Sequence, residues 1–251
     1  MNIMTRSIVS VLFVLTSALL AGFAYAAPPS APAAKIRVLI VTGQDTAHDW
    51  KKTSPVVRAT LEQEPRIEAR VVEDPEFLAS PTLADYDVIL LEFYNPKPLH
   101  HQAEAQKNLA GLIAQGKGLV VLHFSCGAFA DWPGFADLVG RIWDRKHFHD
   151  PRGPFTVRIT DKQHPITRGL DDFQADDELY VCQTGDKKMD VLAVARSKVT
   201  GKEYPMALTM DYGKGRVFNT PLGHDGRAIQ MPGTAKLLQR GCLWAAKKLE
   251  D

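Results

Sequence analysis

Short apolar runs recur along the first half of the chain, each bounded by glycine or polar residues. The first is I-R-V-L-I-V, Ile36 to Val41, which is rich in β-branched residues. Similar runs cover residues 66–72, 87–93 and 118–124. Runs of this length predict strands that are buried on both faces of a sheet. Helical patterns at 53–64 and 101–115 lie between them, and the alternation predicts an α/β fold with a doubly wound, mostly parallel sheet and helices on both faces.

The second half is less regular, and its clearest feature is a hairpin. Two apolar runs, 204–211 and 216–221, flank the glycine-bearing turn G-K-G at 213–215, which predicts an antiparallel extension of the sheet. The other predicted elements are a helix at 131–140, strands at 154–160 and 191–195, and a final amphipathic helix at 234–248.

The N-terminus has the pattern of an export signal. A basic residue, Arg6, precedes an apolar stretch over 8–23, and A-Y-A follows at 24–26. This order predicts a cleaved signal peptide over 1–26 rather than a membrane anchor, because the apolar stretch is short for a spanning helix. We therefore expect a disordered leader at 27–34, one domain over 35–251, and a periplasmic or secreted protein with no stable membrane anchor.

Charge and cysteine count narrow the choice of partners. The chain has 30 basic and 29 acidic side chains, so a general attraction to nucleic acid is not expected. A small neutral molecule suits this charge balance better than a nucleic acid does. A homodimer is the other partner that the sequence leaves open. The three cysteines are too few for a disulfide framework, and at most one bridge can form.

Polar residues cluster after four of the predicted strands. In an open parallel sheet, ligand sites lie outside the carboxyl ends of the strands. The residues found there are three histidines and three carboxylates: His48, Asp49, Glu92, His123, His224 and Asp225. This number exceeds what the solvation of loops requires, so we predict that His123 and His224 serve one functional site. Glu92 has a structural alternative, as a carboxylate that caps a helix or accepts backbone N–H groups.

Other polar segments have no periodicity that would orient them. His147 and His149 have the spacing of an H-x-H metal pair, although the charges around them also suit an exposed loop. Pro165 restricts His164 to extended geometry, which favours a backbone role for that histidine. The run D-D-E-L-Y at 176–180 could serve a metal or a sugar hydroxyl, but we interpret it as a solvated acidic loop.

A series of motifs resembles the ThuA-like (trehalose utilisation) family from Ile36 to about Lys248. The motifs are H-D-W at 48–50, E-F-Y-N at 92–95, L-V-V-L-H-F at 119–124, H-P-I-T-R-G-L at 164–170, D-E-L-Y at 177–180, Y-G-K-G-R-V-F at 212–218, L-G-H-D at 222–225 and R-G-C-L-W-A-A at 240–246. The resemblance implies a flavodoxin-like sheet similar to that of class I glutamine amidotransferases.

The resemblance also implies a role in the breakdown of disaccharides and glycosides through 3-keto derivatives. A carbonyl at C3 acidifies the hydrogen at C2, so a base can form an enediolate that expels the C1 substituent. Histidine suits the base, and a divalent metal (zinc, manganese or nickel) suits the electrophile at the developing oxyanion. The expected catalytic residues are His123, His224, Glu92 and Asp225, with His123 and His224 also expected as metal ligands. The expected residues for binding a small carbohydrate are His48, Asp49, Trp50, Tyr94, Asn95 and Phe124.

Two other functions remain open at this stage. A non-catalytic carbohydrate-binding protein would use the same pocket. An amidase-type hydrolase would use Cys126, which follows the fourth strand at the position of an amidotransferase nucleophile. However, F-S-C-G-A lacks the leading glycine of a nucleophile elbow, and no H-x-E follows the late strand. We therefore interpret Cys126 as a small residue of the turn and His123 as the side chain that enters the pocket.

Overall fold

The structure is a computed structural model that describes residues 34–45, 47–95, 97–129, 131–144, 146 and 148–249. The segment expected to be a signal peptide lies outside these residues, as do nearly all of the leader and His147. Among the helices that the structure describes, none has the length and apolar character needed to cross a bilayer.

The described residues form strands and helices that alternate through the first half of the chain. The strands are β1 (Ile36–Val41), β2 (Ile67–Val72), β3 (Val88–Leu91), β4 (Gly118–Leu122), β5 (Ile142–Trp143), β6 (Gly153–Ile159), β7 (Phe173–Asp177), β8 (Gln183–Thr184), β9 (Asp190–Arg196), β10 (Glu203–Tyr212) and β11 (Gly215–Thr220). The helices are α1 (Trp50–Glu62), α2 (Gln102–Gln115), α3 (Pro133–Val139), α4 (Gly226–Gln230) and α5 (Pro232–Ala245).

One nine-stranded sheet organises the domain, in the order β2-β1-β3-β4-β11-β10-β9-β6-β7. Each neighbouring pair from β2 to β11 is parallel, and each pair from β11 to β7 is antiparallel. The α/β, flavodoxin-like architecture is therefore confirmed. The predicted hairpin is β10–β11, and the antiparallel extension continues through three further strands.

Both faces of the parallel strands are buried, which is why their sequences are apolar at nearly every position. Alternate residues enter two separate clusters. Ile40, Leu90 and Leu122 belong to a cluster that also contains residues of α1 and α5. Leu39 and Leu91 belong to the cluster on the opposite face, with residues of α2. These two layers hold the carboxyl ends of the parallel strands at one edge, where the polar residues gather.

Two sequence interpretations of this edge are wrong. The fourth strand does not include residues 123 and 124, because the chain leaves β4 at Leu122 and turns into a short 3-10 helix. The run 176–180 is not a solvated loop. Its first two residues end strand β7, and Asp177, Leu179 and Tyr180 are buried.

Candidate functional site: a histidine–glutamate cluster

Four side chains from separate segments meet at the carboxyl edge of the sheet. They are His48, His123, Glu178 and His224, and together we call them the histidine–glutamate cluster. One possible ligand atom from each lies within 4.8 Å of the others. The predicted convergence of His123 and His224 is thus present in the structure, with His48, expected only as a substrate-binding residue, beside them. The imidazole ring centroids of these histidines are 4.9 to 5.4 Å apart.

His123 is the most constrained member of the cluster. It is fully buried and has a φ of 49°, in a region that non-glycine residues seldom adopt and that is often found at functional sites. Its Nδ1 lies 2.6 Å from the carbonyl oxygen of Pro221. Because a carbonyl can only accept, Nδ1 carries the proton and donates it, which leaves Nε2 as the acceptor. The Tyr180 hydroxyl, 3.0 Å away, donates to Nε2.

His48 is held in the same tautomer by a carboxylate. Its Nδ1 donates to Oδ2 of Asp45 over 2.9 Å, which leaves Nε2 with a free lone pair. Burial works to raise the pKa of Asp45, but hydrogen bonds from His48 and from the backbone N–H of Ala47 hold it below its usual range. Burial lowers the pKa of His48 itself, so its imidazole is neutral at neutral pH. Neutral imidazole is the form that binds metals.

The loop that carries His224 is fixed by a buried carboxylate. Asp177 accepts three backbone N–H groups, from Gly223 at 2.6 Å, from Glu178 at 2.8 Å and from His224 at 3.2 Å. Two of these groups belong to members of the cluster. Asp177 therefore positions Glu178 and His224 relative to each other.

The backbone of Gly223 leaves no room for a side chain. Its φ is +114°, and an added Cβ would lie 2.7 Å from Cδ1 of Ile229 and 3.0 Å from Cδ1 of Leu122. We expect Gly223→Ala to lower the free energy of unfolding by about 1–3 kcal/mol, measured by urea denaturation. Gly153→Ala is the matched control, since nothing lies within 4 Å of its added Cβ. Equal stability of the two variants would contradict this account of the loop.

Glu178 connects the histidines electrostatically. Its Oε2 lies 3.5 Å from Nε2 of His123 and 3.2 Å from Nδ1 of His224. The Nδ1 of His224 is buried but makes no aligned hydrogen bond among the described residues, so this second contact is one of charge. Partial burial works to raise the pKa of Glu178, but the facing imidazoles of His123 and His224, in their protonated form, hold it well below its usual range. Conversely, Glu178 raises the pKa of His224.

Three members of the cluster, His48, Glu178 and His224, line a cavity of about 420 Å³. His123 was expected to enter the pocket, but it is fully buried and is not among the side chains that line this cavity.

Aromatic side chains form much of the cavity wall. The rings of Tyr94 and Trp143 meet edge to face with their centroids 5.8 Å apart, and the ring of Phe124 stacks on that of His48 with a centroid separation of 4.1 Å. Phe148 and His149 stand at the mouth and are exposed. Flat apolar walls with a few convergent polar groups are typical of small-molecule sites, and aromatic rings suit the apolar face of a sugar ring.

Six expected site residues do not line this cavity: His123, described above, and five others. The carboxyl group of Glu92 is fully buried, and neither oxygen has a hydrogen-bond partner among the described residues. Burial raises the pKa of Glu92 well above its usual range, which favours the neutral acid, and its carboxyl group does not line the cavity. Because side chains alternate along a strand, Glu92 lies on the same face of the sheet as Leu90, in the layer between the sheet and its helices. The rule that strand ends face the ligand site therefore placed Glu92 wrongly. Asn95 is also buried away from the cavity.

The other three residues surround the start of helices α1 and α4. Asp49 is exposed and pairs with Lys52 at 2.7 Å, and Trp50 lies under the ammonium group of Lys51. Asp225 accepts from the backbone N–H of Ala228 as the cap of α4, and its second oxygen pairs with Arg152 at 2.8 Å. The geometry therefore gives Asp225 a structural role in the loop after His224.

Sequence reasoning left several residues of the cavity unassigned. They are Asp45, Trp143, Glu178 and Tyr180, together with His149, for which the sequence allowed either a metal pair or an exposed loop. Trp143 reaches the cavity on β5, a two-residue strand that pairs with β8 and has no periodicity. The D-E-L-Y motif was the available sequence signal for Glu178 and Tyr180. His164 stays apart from the cluster, with its ring 5.2 Å from that of Trp244.

The cysteines of the cavity wall are poor nucleophiles. Cys126 and Cys182 are buried free thiols, and burial raises the pKa of each to about 12. We expect iodoacetamide at pH 7 to leave the native protein unmodified, because only about one thiol in 100,000 is ionised. Intact mass should show three adducts only after denaturation in guanidinium. Rapid modification of Cys126 alone in the native protein would contradict this prediction and would support the amidase-type hydrolase.

Comparison with known proteins is consistent with the fold and the motifs. The family model described as "ThuA: Trehalose utilisation" matches residues 37–245. A ThuA-like protein of Parabacteroides merdae is 26% identical, with a TM-score of 0.76 over 86% of this chain and 92% of that one. A ThuA-like protein of Bacteroides uniformis is 18% identical, with a TM-score of 0.69 over 88% and 95%. The glutaminase domain of Trypanosoma brucei CTPS shares the fold at 13% identity, with a TM-score of 0.51 over 86% and 96%. No curated protein matches the sequence.

Proposed function

Because this chain belongs to the ThuA (trehalose utilisation) family, we propose that it is an exported enzyme that cleaves a 3-keto glycoside by elimination. The histidine–glutamate cluster would hold a divalent transition metal beside the bound sugar. The single observation that supports the proposal most strongly is the convergence of three imidazoles and one carboxylate beside a cavity with aromatic walls, which two of the imidazoles and the carboxylate line.

The cluster fits a transition metal in its chemistry and its dimensions. His48 and His123 each keep an unprotonated Nε2, because Nδ1 is committed to Asp45 or to Pro221. Two ligands of a tetrahedral ion lie about 3.4 Å apart when each bond is about 2.1 Å long. Oε2 of Glu178 lies 3.5 Å and 3.2 Å from ring nitrogens of His123 and His224. Imidazole-rich sets with one carboxylate favour zinc, manganese, iron or nickel over magnesium and calcium.

When bound, such a metal would supply a Lewis acid for the C3 carbonyl oxygen. With Nε2 of His123 bound to the metal, the Tyr180 hydroxyl would be released from that nitrogen and would donate its hydrogen bond to the same oxygen. Burial raises the pKa of Tyr180 well above the usual range and keeps the hydroxyl protonated. His149 suits the role of base. Its Nδ1 donates to the carbonyl oxygen of Asp150 over 2.9 Å, so Nε2 is the acceptor at the cavity mouth.

In the proposed reaction one group, His149, takes up a proton and later returns it. Nε2 of His149 removes the C2 proton, and the electron pair of the C2–H bond forms an enediolate with the C3 oxygen. As the carbonyl re-forms, the C1–O bond breaks and the leaving oxygen takes its electron pair. The proton held by His149 then passes to that oxygen, so the products are an alcohol and a 1,2-unsaturated 3-keto sugar.

The test is turnover of a 3-keto glycoside, followed by the appearance of the unsaturated product. We expect product from the purified mature protein, loss of product after treatment with a chelator, and recovery when a divalent metal is added back. Sugar binding without product, insensitive to chelator, would instead support the non-catalytic carbohydrate-binding protein.

A further inference from the structure

The segment that carries His149 is held at the mouth of the cavity by its backbone. The N–H of Asp150 donates to the carbonyl oxygen of Leu179 over 2.9 Å, and the N–H of Val181 donates to that of Phe148 over 3.3 Å. The side chains of Phe148 and His149 are themselves exposed. Burial therefore does not fix the imidazole of His149, and its position depends on how the segment is attached.

The side chain of Asp150 supplies a second, buried attachment. Asp150 is 6% exposed, and each of its carboxylate oxygens accepts one hydrogen bond of 2.7 Å. The hydroxyl of Ser197 donates to Oδ1, and the backbone N–H of Lys198 donates to Oδ2. Hydrogen bonds to a carboxylate in the interior are strong and directional. They join the segment to residues almost fifty positions further along the chain.

The attachment point is part of the sheet. Ser197 directly follows strand β9 and is 1% exposed. Its hydroxyl oxygen also accepts the backbone N–H groups of Val199 at 3.2 Å and of Thr200 at 2.9 Å. The N–H of Ser197 donates to the carbonyl oxygen of Lys202, which closes the turn between β9 and β10. The carboxylate of Asp150 thus joins the cavity mouth to the end of a strand pair and not to another free loop.

Asp150 reaches the imidazole through its own backbone. Its carbonyl oxygen accepts the hydrogen bond from Nδ1 of His149 over 2.9 Å. This bond selects the tautomer in which Nε2 is the acceptor. The ring of His149 also stacks on that of Tyr180, with the centroids 6.0 Å apart. The residue that receives the imidazole proton is therefore the one whose carboxylate is fixed to the sheet.

We propose that Asp150 is a positioning residue, which holds His149 at the cavity mouth in the tautomer that accepts a proton. Asp150 does not line the cavity, so it acts on the reaction only through His149. Among the described residues its carboxylate bonds to Ser197 and Lys198 and to no member of the histidine–glutamate cluster, so metal binding does not depend on it. This inference rests on the proposed function, since it explains how the proposed base is held.

Steady-state kinetics of the metal-loaded mature protein on a 3-keto glycoside tests this role. Asparagine has the shape of aspartate but replaces one acceptor with an NH2 donor, so Asp150→Asn loses one of the two hydrogen bonds. We expect kcat to fall about 10- to 100-fold and KM to stay within about threefold, because the base is displaced while the cavity wall is unchanged. Metal content by ICP-MS should equal that of the wild type.

Asp161→Asn is the matched control. Oδ1 of Asp161 accepts the backbone N–H groups of Gln163 and His164 in a loop that does not line the cavity. This variant should keep kcat within about twofold of the wild type. If Asp150→Asn does not fold, Ser197→Ala removes the same attachment from its other side and should lower kcat in the same direction.

A double-mutant cycle separates positioning from a general loss of structure. In a His149→Ala background no imidazole is left to hold, so adding Asp150→Asn should change the residual kcat by less than about twofold. A loss of the same factor in both backgrounds would show a structural role only and would overturn the inference.

Nitrogen-15 NMR of the imidazoles tests the inference without catalysis. The neutral form of His149 should carry its proton on Nδ1 in the wild type and in Asp161→Asn, because the carbonyl oxygen of Asp150 accepts it. In Asp150→Asn the same ring should show a mixture of the two tautomers. The His149→Ala variant identifies the signals.

The outcomes separate this inference from the proposed function. An active wild type with an unchanged kcat in Asp150→Asn, or in Ser197→Ala if the first variant does not fold, would overturn the role of Asp150 alone. An unchanged tautomer of His149 in the variant would overturn it as well. If the wild type shows the expected tautomer but no turnover, the proposed function is wrong, whereas the attachment of His149 through Asp150 is supported.

Discussion

Replacing Glu178 with glutamine is expected to lower turnover of a 3-keto glycoside by at least about 100-fold. Glutamine keeps the size of the side chain but removes the charge that faces Nε2 of His123 at 3.5 Å and Nδ1 of His224 at 3.2 Å. A neutral amide is a weak metal ligand and leaves the imidazole of His224 without its anionic partner. The measurement is steady-state turnover together with the metal content of the same sample.

Glu76 provides a matched carboxylate elsewhere in the protein. It contacts a ring nitrogen of His101 at 3.2 Å, in a pair that belongs to no cavity described above. Glu76 also accepts the backbone N–H groups of His100 and His101. Glu76→Gln should keep turnover within about threefold of the wild type, because Glu76 contacts no residue of the cavity. If Glu178→Gln were as active as Glu76→Gln, the carboxylate would have no part in catalysis.

Asp177→Ala should be the most destabilising substitution near the cavity, lowering the free energy of unfolding by about 3 kcal/mol or more. Asp177 is fully buried and accepts the backbone N–H groups of Glu178, Gly223 and His224. Alanine would leave all three donors without partners in the interior, at about 1–3 kcal/mol for each buried group. We expect a lower midpoint in urea denaturation and a weaker affinity for metal in the fraction that still folds.

The preceding residue supplies the control. Asp176 pairs with the exposed Arg227, so Asp176→Ala should cost at most about 1 kcal/mol. Similar losses in the two variants would show that the three backbone hydrogen bonds of Asp177 contribute little.

The parallel half of the sheet could be predicted from the sequence because its strands are buried on both faces. Burial on both sides demands apolar residues at every position, and the run from Ile36 to Val41 has this property apart from Arg37. Strand β7 could not be predicted in this way. It ends in two aspartates, and the burial of Asp177 is compensated by backbone N–H groups from a loop some 45 residues away in the chain.

The sequence could predict those residues of the candidate site that follow directly after parallel strands. His123 and His224 follow two parallel strands that pair in the sheet, and so they meet. Glu92 follows a neighbouring strand, but strand alternation directs its side chain into the layer that contains Leu90. Glu178, Tyr180 and Trp143 come from the antiparallel half and its loops, where the strand-end rule gives no direction.

Elemental analysis of the mature, untagged protein by ICP-MS tests the central claim most directly. The account predicts about one zinc, manganese, iron or nickel ion per chain in the wild type. It predicts the same amount in His101→Ala, which removes an exposed histidine, and a background level in His123→Ala. A wild type with no metal above background, even after incubation with each of these ions and desalting, would contradict the metal site. Full occupancy in His123→Ala would contradict the role given to that histidine.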